Sequence, residues 1–249
     1  MDDFNLGAPD SGALVVLSGG QDSTTCLFWA IRRWGRERVQ AVTFDYGQRH
    51  RVELDSARAI SALAGVPLTL LPIDTFAAMG GNALTDDIAP ESGVRADDDA
   101  ALPNTFVPGR NLIFLTFAAA LAYQKDLAHV VTGVAQTDYS GYPDCRENTL
   151  KSLELALRLG MDSRVCLHTP LMFMSKAETV KLAQEVGAME ALALSHTCYN
   201  GAVPPCGECA ACILRAQGFA QAGVADPLVV RTGVNVCAVG HDDAQLSLC

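Results

Sequence analysis

The chain has 249 residues, 49% of them hydrophobic, and a formal net charge of −10. That apolar share is enough to close a full core and argues against general disorder, while so acidic a chain repels phosphate backbones; a small-molecule substrate suits it better than bulk nucleic acid. The opening MDDFNLGAPDSG carries neither the basic nor the apolar part of a signal peptide, and the apolar run LIFLTFAAALAY from Leu112 falls short of the ~20 residues a spanning helix needs, so the expectation is a cytoplasmic protein with no membrane partner.

In chain order, ALVVL (13–17) is a continuous apolar run, as a parallel strand covered on both faces requires. After the turn SGGQDS comes the helical run TTCLFWAIRRWG, closing on Gly35. VQAVTFDYG reads as a second strand, VELDSARAISALAG as a second helix and VPLTLLPID as a third strand. This alternation predicts an α/β fold with a parallel sheet. Residues 76–103, rich in Gly, Pro and Asp, break the rhythm and read as a mobile loop, a lid or a partner-facing flap. Order resumes with the helix NLIFLTFAAALAYQKD and the strand HVVTGVA; Leu150, Leu153 and Leu157 then mark one face of a further helix. SKAE at 175–178 is a capping box, followed by Leu182, Val186 and Met189 on a shared face, and the tail after Pro227 has no reading.

A strand that leaves through Gly-Gly into a helix suits a phosphate, because glycine allows close approach and the first helical N–H groups have no partner. The alternative is a plain strand–helix turn with Asp22 or Ser23 as N-cap. Neither GxxxxGK[ST] nor GxGxxG is present, so Walker and dinucleotide sites are not supported. Further on, Arg110 and Asn111 of VPGRN offer a fork for a planar anion, or a solvated arginine beside an N-cap asparagine. In GYPDCRE, Pro143 holds Tyr142 extended, and Asp144 either caps the next helix or offers a carboxylate to the N–H donors of a ligand. Lys176 sits in a first helical turn, where the dipole disfavours a cation unless an anion relieves it. Gln48 and His50 end the second strand at the ligand-binding edge of an α/β sheet, His50 being either a base or a structural residue.

Nine cysteines, an odd number without a secretion signal, argue against a disulfide framework. Cys206, Cys209 and Cys212 form CxxCxxC with Cys198 upstream, a spacing that closes four thiolates around a structural Zn²⁺, an iron–sulfur cluster being the rival ligand.

SGGQDSTT resembles the signature of the N-type ATP pyrophosphatases, the PP-loop enzymes. Taken with FDYGQRH, TFVPGRN, SGYPDCR and CYNGAVPPCGECAAC in that order, the chain from about residue 13 to 227 is similar to the 7-cyano-7-deazaguanine synthases, nitrile-forming ligases of queuosine-precursor synthesis. The resemblance implies a Rossmann-like (adenine nucleotide alpha hydrolase-like) sheet over residues 13–175, preceded by an N-terminal extension (1–12) and followed by a helical zinc-binding region (176–231) and a tail (232–249). It implies ATP held by Leu17, Ser18, Gly19, Gly20, Gln21, Asp22, Ser23, Thr24, Thr25, Cys26 and Leu27, with Mg²⁺ held partly by Asp22. Asp22, Arg110 and Lys176 become the expected catalytic residues, and Gln48, His50, Arg110, Asn111, Asp138, Tyr142 and Asp144 the expected substrate-binding ones. The implied substrates are 7-carboxy-7-deazaguanine, ammonia and ATP, with no direct nucleic-acid contact, and the implied assembly is a homodimer.

Overall fold

The structure is a computed structural model that describes residues 11–48, 51–86, 88, 102–136 and 141–233. Five strands, β1 (Ala13–Val16), β2 (Val39–Asp45), β3 (Leu68–Pro72), β4 (His129–Val131) and β5 (Cys166–His168), pair in parallel in the order β3-β2-β1-β4-β5. The helices are α1 (Gln21–Trp34), α2 (Val52–Ala64), α3 (Thr75–Met79), α4 (Arg110–Gln124), α5 (Glu147–Gly160), α6 (Lys176–Glu185), α7 (Met189–Leu192), α8 (Ala210–Ala222) and α9 (Pro227–Thr232). The fold is the Rossmann-like α/β sheet with helices on both faces that the alternation predicts.

The continuous apolar strands follow from that layering. Ala13, Val15 and the following Leu17 pack with Leu27, Ala30, Ala57 and Ile60 of α1 and α2. Leu14 faces the other way, onto Leu115, Ala118 and Ala122 of α4 and Leu150 and Leu157 of α5. Each such Leu, Ile or Val side chain, fully buried, stabilises the fold by roughly 1.5–3 kcal/mol.

Helix starts differ from the local reading. The N-cap of α1 is Gly20, in extended conformation and without a side-chain cap, so Asp22 and Ser23 lie inside the first turn instead of capping it. The Ser23 and Thr24 hydroxyls both donate to the Gly20 carbonyl, at 3.2 and 2.7 Å. Asn111 is likewise one residue inside α4, whose N-cap is Gly109 at φ 73°. Its N–H, an orphan of the first turn, donates to Asp144 Oδ2 at 3.0 Å. Asp144 therefore caps α4 across the fold, while α5, which it was expected to cap, starts at Arg146 without a side-chain cap.

The capping box at Ser175 and Glu178 forms as read. Leu182, Val186 and Met189 do not share one helix, because α6 ends at Glu185 and Gly187 turns the chain at φ 79°. Leu182 joins the main core, whereas Val186 and Met189 pack on a satellite core of Val180, Ala183, Ala188, Leu192 and Phe219. After Pro227 the chain forms α9: Asp226 caps it by accepting from the Leu228 N–H, Pro227 opens the first turn and Gly233 closes it at φ 68°. Arg215 anchors that cap, with Nε 2.6 Å from Asp226 Oδ2, Nη2 2.9 Å from Oδ1 and Nη1 2.8 Å from Ser195 Oγ. The beginning of the 76–103 segment folds into α3; residues 87 and 89–101, which carry the lid reading, lie outside the described residues.

On the outer strand pair, His168 Nε2 lies 3.0 Å from His129 Nδ1, and Trp34 stacks on the His129 ring at 4.8 Å. The donor atoms of His129, Cys166 and His168 all lie within 4.8 Å, but the Arg33 guanidinium stands over the Trp29 and Trp34 rings and opposes a cation there, so the trio reads as packing. Burial, then the neighbouring His129 and Arg33, pushes His168 down to about 4, and burial and Arg33 also lower His129. A histidine held neutral by folding contributes stability that is complete above its unfolded value of ~6.5 and lost as pH falls through the folded value. From pH 7 to pH 4.5, wild type should therefore lose about 2 kcal/mol more stability than His168→Gln, discounting for partial exposure. Parallel urea midpoints for the two proteins across that range would refute this.

Candidate active site

The sheet order reverses between β1 and β4, and the crevice beyond their carboxyl ends is where an open α/β sheet places a ligand. Two glycines shape it. Gly19 stands at φ 88°, and a Cβ there would run into the Glu53 carbonyl oxygen. Its own carbonyl accepts from the His196 N–H at 2.8 Å, which clamps the 195–199 segment to the loop. Gly133, just past β4, approaches the start of α1 so closely that a Cβ would lie 2.9 Å from Asp22 C and Ser23 N. With no side-chain cap on α1, the leading N–H groups and the positive end of the helix face this crevice.

Asp22 Oδ2 accepts from Lys176 Nζ at 2.7 Å, although 154 positions separate them. This pair resolves the electrostatic conflict of a lysine in the first turn of α6. Asp22 Oδ1 is buried and has no hydrogen-bond partner. Lys176 is set by helix packing as well: a Cβ on Gly218 of α8 would lie 2.8 Å from the Lys176 Cβ. Gly218→Ala should cost about 1–3 kcal/mol by overpacking and should shift Lys176 away from Asp22. Unchanged melting in that variant would show that the helix contact does not position the lysine.

A cavity of about 300 Å³ opens here, lined by Ser18, Gly20, Gln21 and Asp22 together with Glu53, Thr105, Arg110, Asn111, Tyr142 and Cys145. The Tyr142 hydroxyl is 2.6 Å from Thr105 Oγ1, and the Asn111 amide donates to Cys145 Sγ at 3.3 Å. Arg110 lies over the Tyr46 ring at 5.8 Å. Burial works against its charge, but Tyr46, Tyr142, Asp144 and Tyr199 more than offset that and keep it cationic. Burial pushes the Glu53 carboxyl up to about 7, with Arg110 pulling partly the other way, and pushes Tyr46 up to about 12.

The expected site residues separate by placement. Ser18, Gly20, Gln21, Asp22, Arg110, Asn111, Tyr142 and Lys176 line the cavity. Gly19 shapes the loop through its backbone, and Ser23 Oγ lies 3.0 Å from Ser18 Oγ. Leu17, Cys26 and Leu27 are wholly buried in the core between the sheet and α1, and Thr24 and Thr25 turn their hydroxyls to the backbone of the helix start, so none of these five side chains reaches the cavity wall. Gln48 closes the turn after β2, accepting from the Tyr46 N–H and donating to the Phe44 carbonyl. Asp144 is 4% exposed and held by the start of α4, and it does not line the cavity. His50 and Asp138 lie outside the described residues. Glu53, Gly133, His196 and Thr197 escaped the sequence reading, and Thr105 and Tyr199 entered it only as parts of longer stretches. Of these only Gly133, a glycine at the end of an apolar strand, carries a local signal.

The four cysteines come together as their spacing predicts. Their sulfurs all lie within 4.8 Å of one another, and Cys206 Sγ is 3.9 Å from Cys212 Sγ. That is far beyond a disulfide bond and close to the ~3.8 Å edge of a tetrahedron with metal–sulfur distances of ~2.3 Å. The Cys206 and Cys209 N–H groups donate to Cys198 Sγ and Cys206 Sγ at 3.5 and 3.4 Å, the outer support expected around metal-held thiolates. Hydrogen bonds from the Cys209 and Cys212 thiols hold Cys198 well below the usual thiol range, while Cys209 is pushed up to about 11. The cluster can hold a metal ion.

Comparison with known proteins bears on the same residues. The family model described as queuosine biosynthesis protein QueC matches residues 12–223. A 7-cyano-7-deazaguanine synthase of Chromobacterium violaceum is 79% identical over 225 residues, spanning 90% of this chain and 95% of that protein. One from Laribacter hongkongensis is 69% identical over 220 residues, 88% of this chain and 94% of the relative. One from Azorhizobium caulinodans is 50% identical over 234 residues, 86% and 94%.

Proposed function

The chain belongs to the queuosine biosynthesis protein QueC family, and we propose on that basis that it is an ATP-dependent carbon–nitrogen ligase converting 7-carboxy-7-deazaguanine and ammonia to 7-cyano-7-deazaguanine. The observation that carries this reading beyond the family is the shared cavity: the glycine loop at the start of α1 and the Arg110–Tyr142 wall bound one space, so nucleotide and acid meet there.

A carboxylate is a poor electrophile because oxide would have to leave. Its oxygen attacks the α-phosphorus of ATP, pyrophosphate departs, and the acyl adenylate now carries AMP as leaving group. Ammonia displaces AMP and loses a proton, which gives the amide. The amide oxygen attacks a second ATP in the same way; loss of AMP and the remaining N–H proton leaves the nitrile. Both activations are oxygen attack at phosphorus, so one cavity serves both.

This chain's residues act by placement and charge. The loop from Ser18 to Asp22 and the leading N–H groups of α1 receive the departing pyrophosphate. Arg110 and Lys176, both lining the cavity, offset negative charge building at phosphorus. Asp22, with a buried and unpartnered Oδ1, fits a hard cation, and Mg²⁺ bound there with ATP would neutralise phosphate charge. The four-thiolate cluster fits Zn²⁺, held by Cys198, Cys206, Cys209 and Cys212 in a closed structural set.

The test supplies ATP, ammonium and 7-carboxy-7-deazaguanine to the purified chain. AMP, pyrophosphate and nitrile should form in a 2:2:1 ratio with the amide as an intermediate, and without tRNA. Release that requires tRNA, or none at all, would overturn the function.

A further inference from the structure

We propose that Glu53 is the specificity-determining carboxylate of the cavity, accepting the two N–H donors along the 2-amino-4-oxo edge of the deazaguanine ring. The inference rests on the function proposed above and deepens it. It also reverses the local expectation, in which Asp144 reads the base. Asp144 has its Oδ2 committed to the Asn111 N–H and does not line the cavity.

Two carboxylates line that cavity among the described residues, Asp22 and Glu53. Asp22 is ion-paired with Lys176. Glu53 makes no hydrogen bond or ion pair among the described residues, lies half-buried in the first turn of α2, and has Arg110 within electrostatic reach. A carboxylate drawn out of water without donors is poorly compensated, and its raised pKa of about 7 reports that cost. Two parallel N–H groups would compensate it, since both carboxylate oxygens accept side by side as they do in an arginine fork. The 2-amino-4-oxo edge presents just that pair, the ring N–H and the exocyclic N–H, with a carbonyl oxygen next to them. Arg110, which lines the same cavity, supplies a donor for that oxygen. Tyr142 adds aromatic surface to the lining, suited to a flat ring.

The test compares 7-carboxy-7-deazaguanine with its analogue lacking the 2-amino group, in wild type and in Glu53→Gln. Wild type should turn over the parent with a KM roughly 10–100-fold lower than for the analogue, because the analogue leaves a carboxylate oxygen unpaired. Glu53→Gln sets an amide N–H against a ring N–H, so its KM for the parent should rise by a similar factor with kcat within about threefold, and its preference for the parent should disappear. Melting temperature checks the fold, and the wild-type discrimination by itself decides the matter should the variant be insoluble. An unchanged KM, a kcat loss at constant KM, or equal wild-type KM values for the two compounds would each overturn the role of Glu53. Absence of wild-type turnover with the parent would instead overturn the proposed function, and the inference with it.

Discussion

Asp22→Asn should abolish nucleotide activation while leaving the protein folded, with turnover falling by roughly 10³-fold or more. Asp22 Oδ2 is the acceptor for Lys176 Nζ, and Oδ1 is buried without a partner, so the side chain holds one cation and has a second anionic position in reserve. Asparagine keeps the shape but removes the charge. The lysine loses its counterion, and no anionic oxygen remains for a metal travelling with ATP. The fold has little reason to respond. Asp22 does not cap α1, whose cap is Gly20, and an acidic residue in a partly buried first turn contributes at most about 2 kcal/mol through the helix dipole. Pyrophosphate release at saturating ATP, set beside the melting temperature, measures both halves. Turnover within tenfold of wild type would remove Asp22 from the chemistry.

Cys209→Ser should cost the bound metal and much of the soluble yield, with melting lowered by about 10 °C or more. The position of Cys209 separates loss of the metal from a local effect on the helix. This residue is the N-cap of α8 and provides no side-chain cap, whereas serine is among the best capping residues. A purely local effect would therefore stabilise α8. Loss of stability would have to come from the thiolate set, in which three remaining sulfurs cannot close a tetrahedron. Metal binding to such clusters is worth ~10–16 kcal/mol in peptides, comparable with the whole stability of a domain. α8 also packs on α6 next to Lys176, so damage at the cluster should reach the cavity. Metal content by emission spectroscopy and a thermal melt decide it: full metal occupancy with unaltered melting would show that the cysteines gather for another reason.

Much of the architecture was readable because its signals are short-range. The apolar run of β1, the glycine exit into α1, the Gly at the ends of α1 and α2, and the Ser175–Glu178 box each depend on neighbours a few residues apart. α9 could have been read in the same way, from Asp226 before it, Pro227 at its first position and the Gly after it. The site was less legible. Glu53 looks like any acid in a first helical turn, and only the packing of α2 against Gly19 brings it to the cavity. Gln48 and Asp144 offered the right chemistry in the right segments, yet nearby backbone groups claimed both side chains.

Spacing along the chain by itself determined the fold class, the glycine loop that borders the cavity and the membership of the four-sulfur cluster, because turns, helix starts and close cysteines are settled within a few residues. Which charged groups share a wall was decided only by tertiary structure. Asp22 meets Lys176, Asn111 meets Asp144 and Gly133 meets the start of α1 through sheet order and helix packing, and contacts at such separations leave no periodic trace in the chain that forms them.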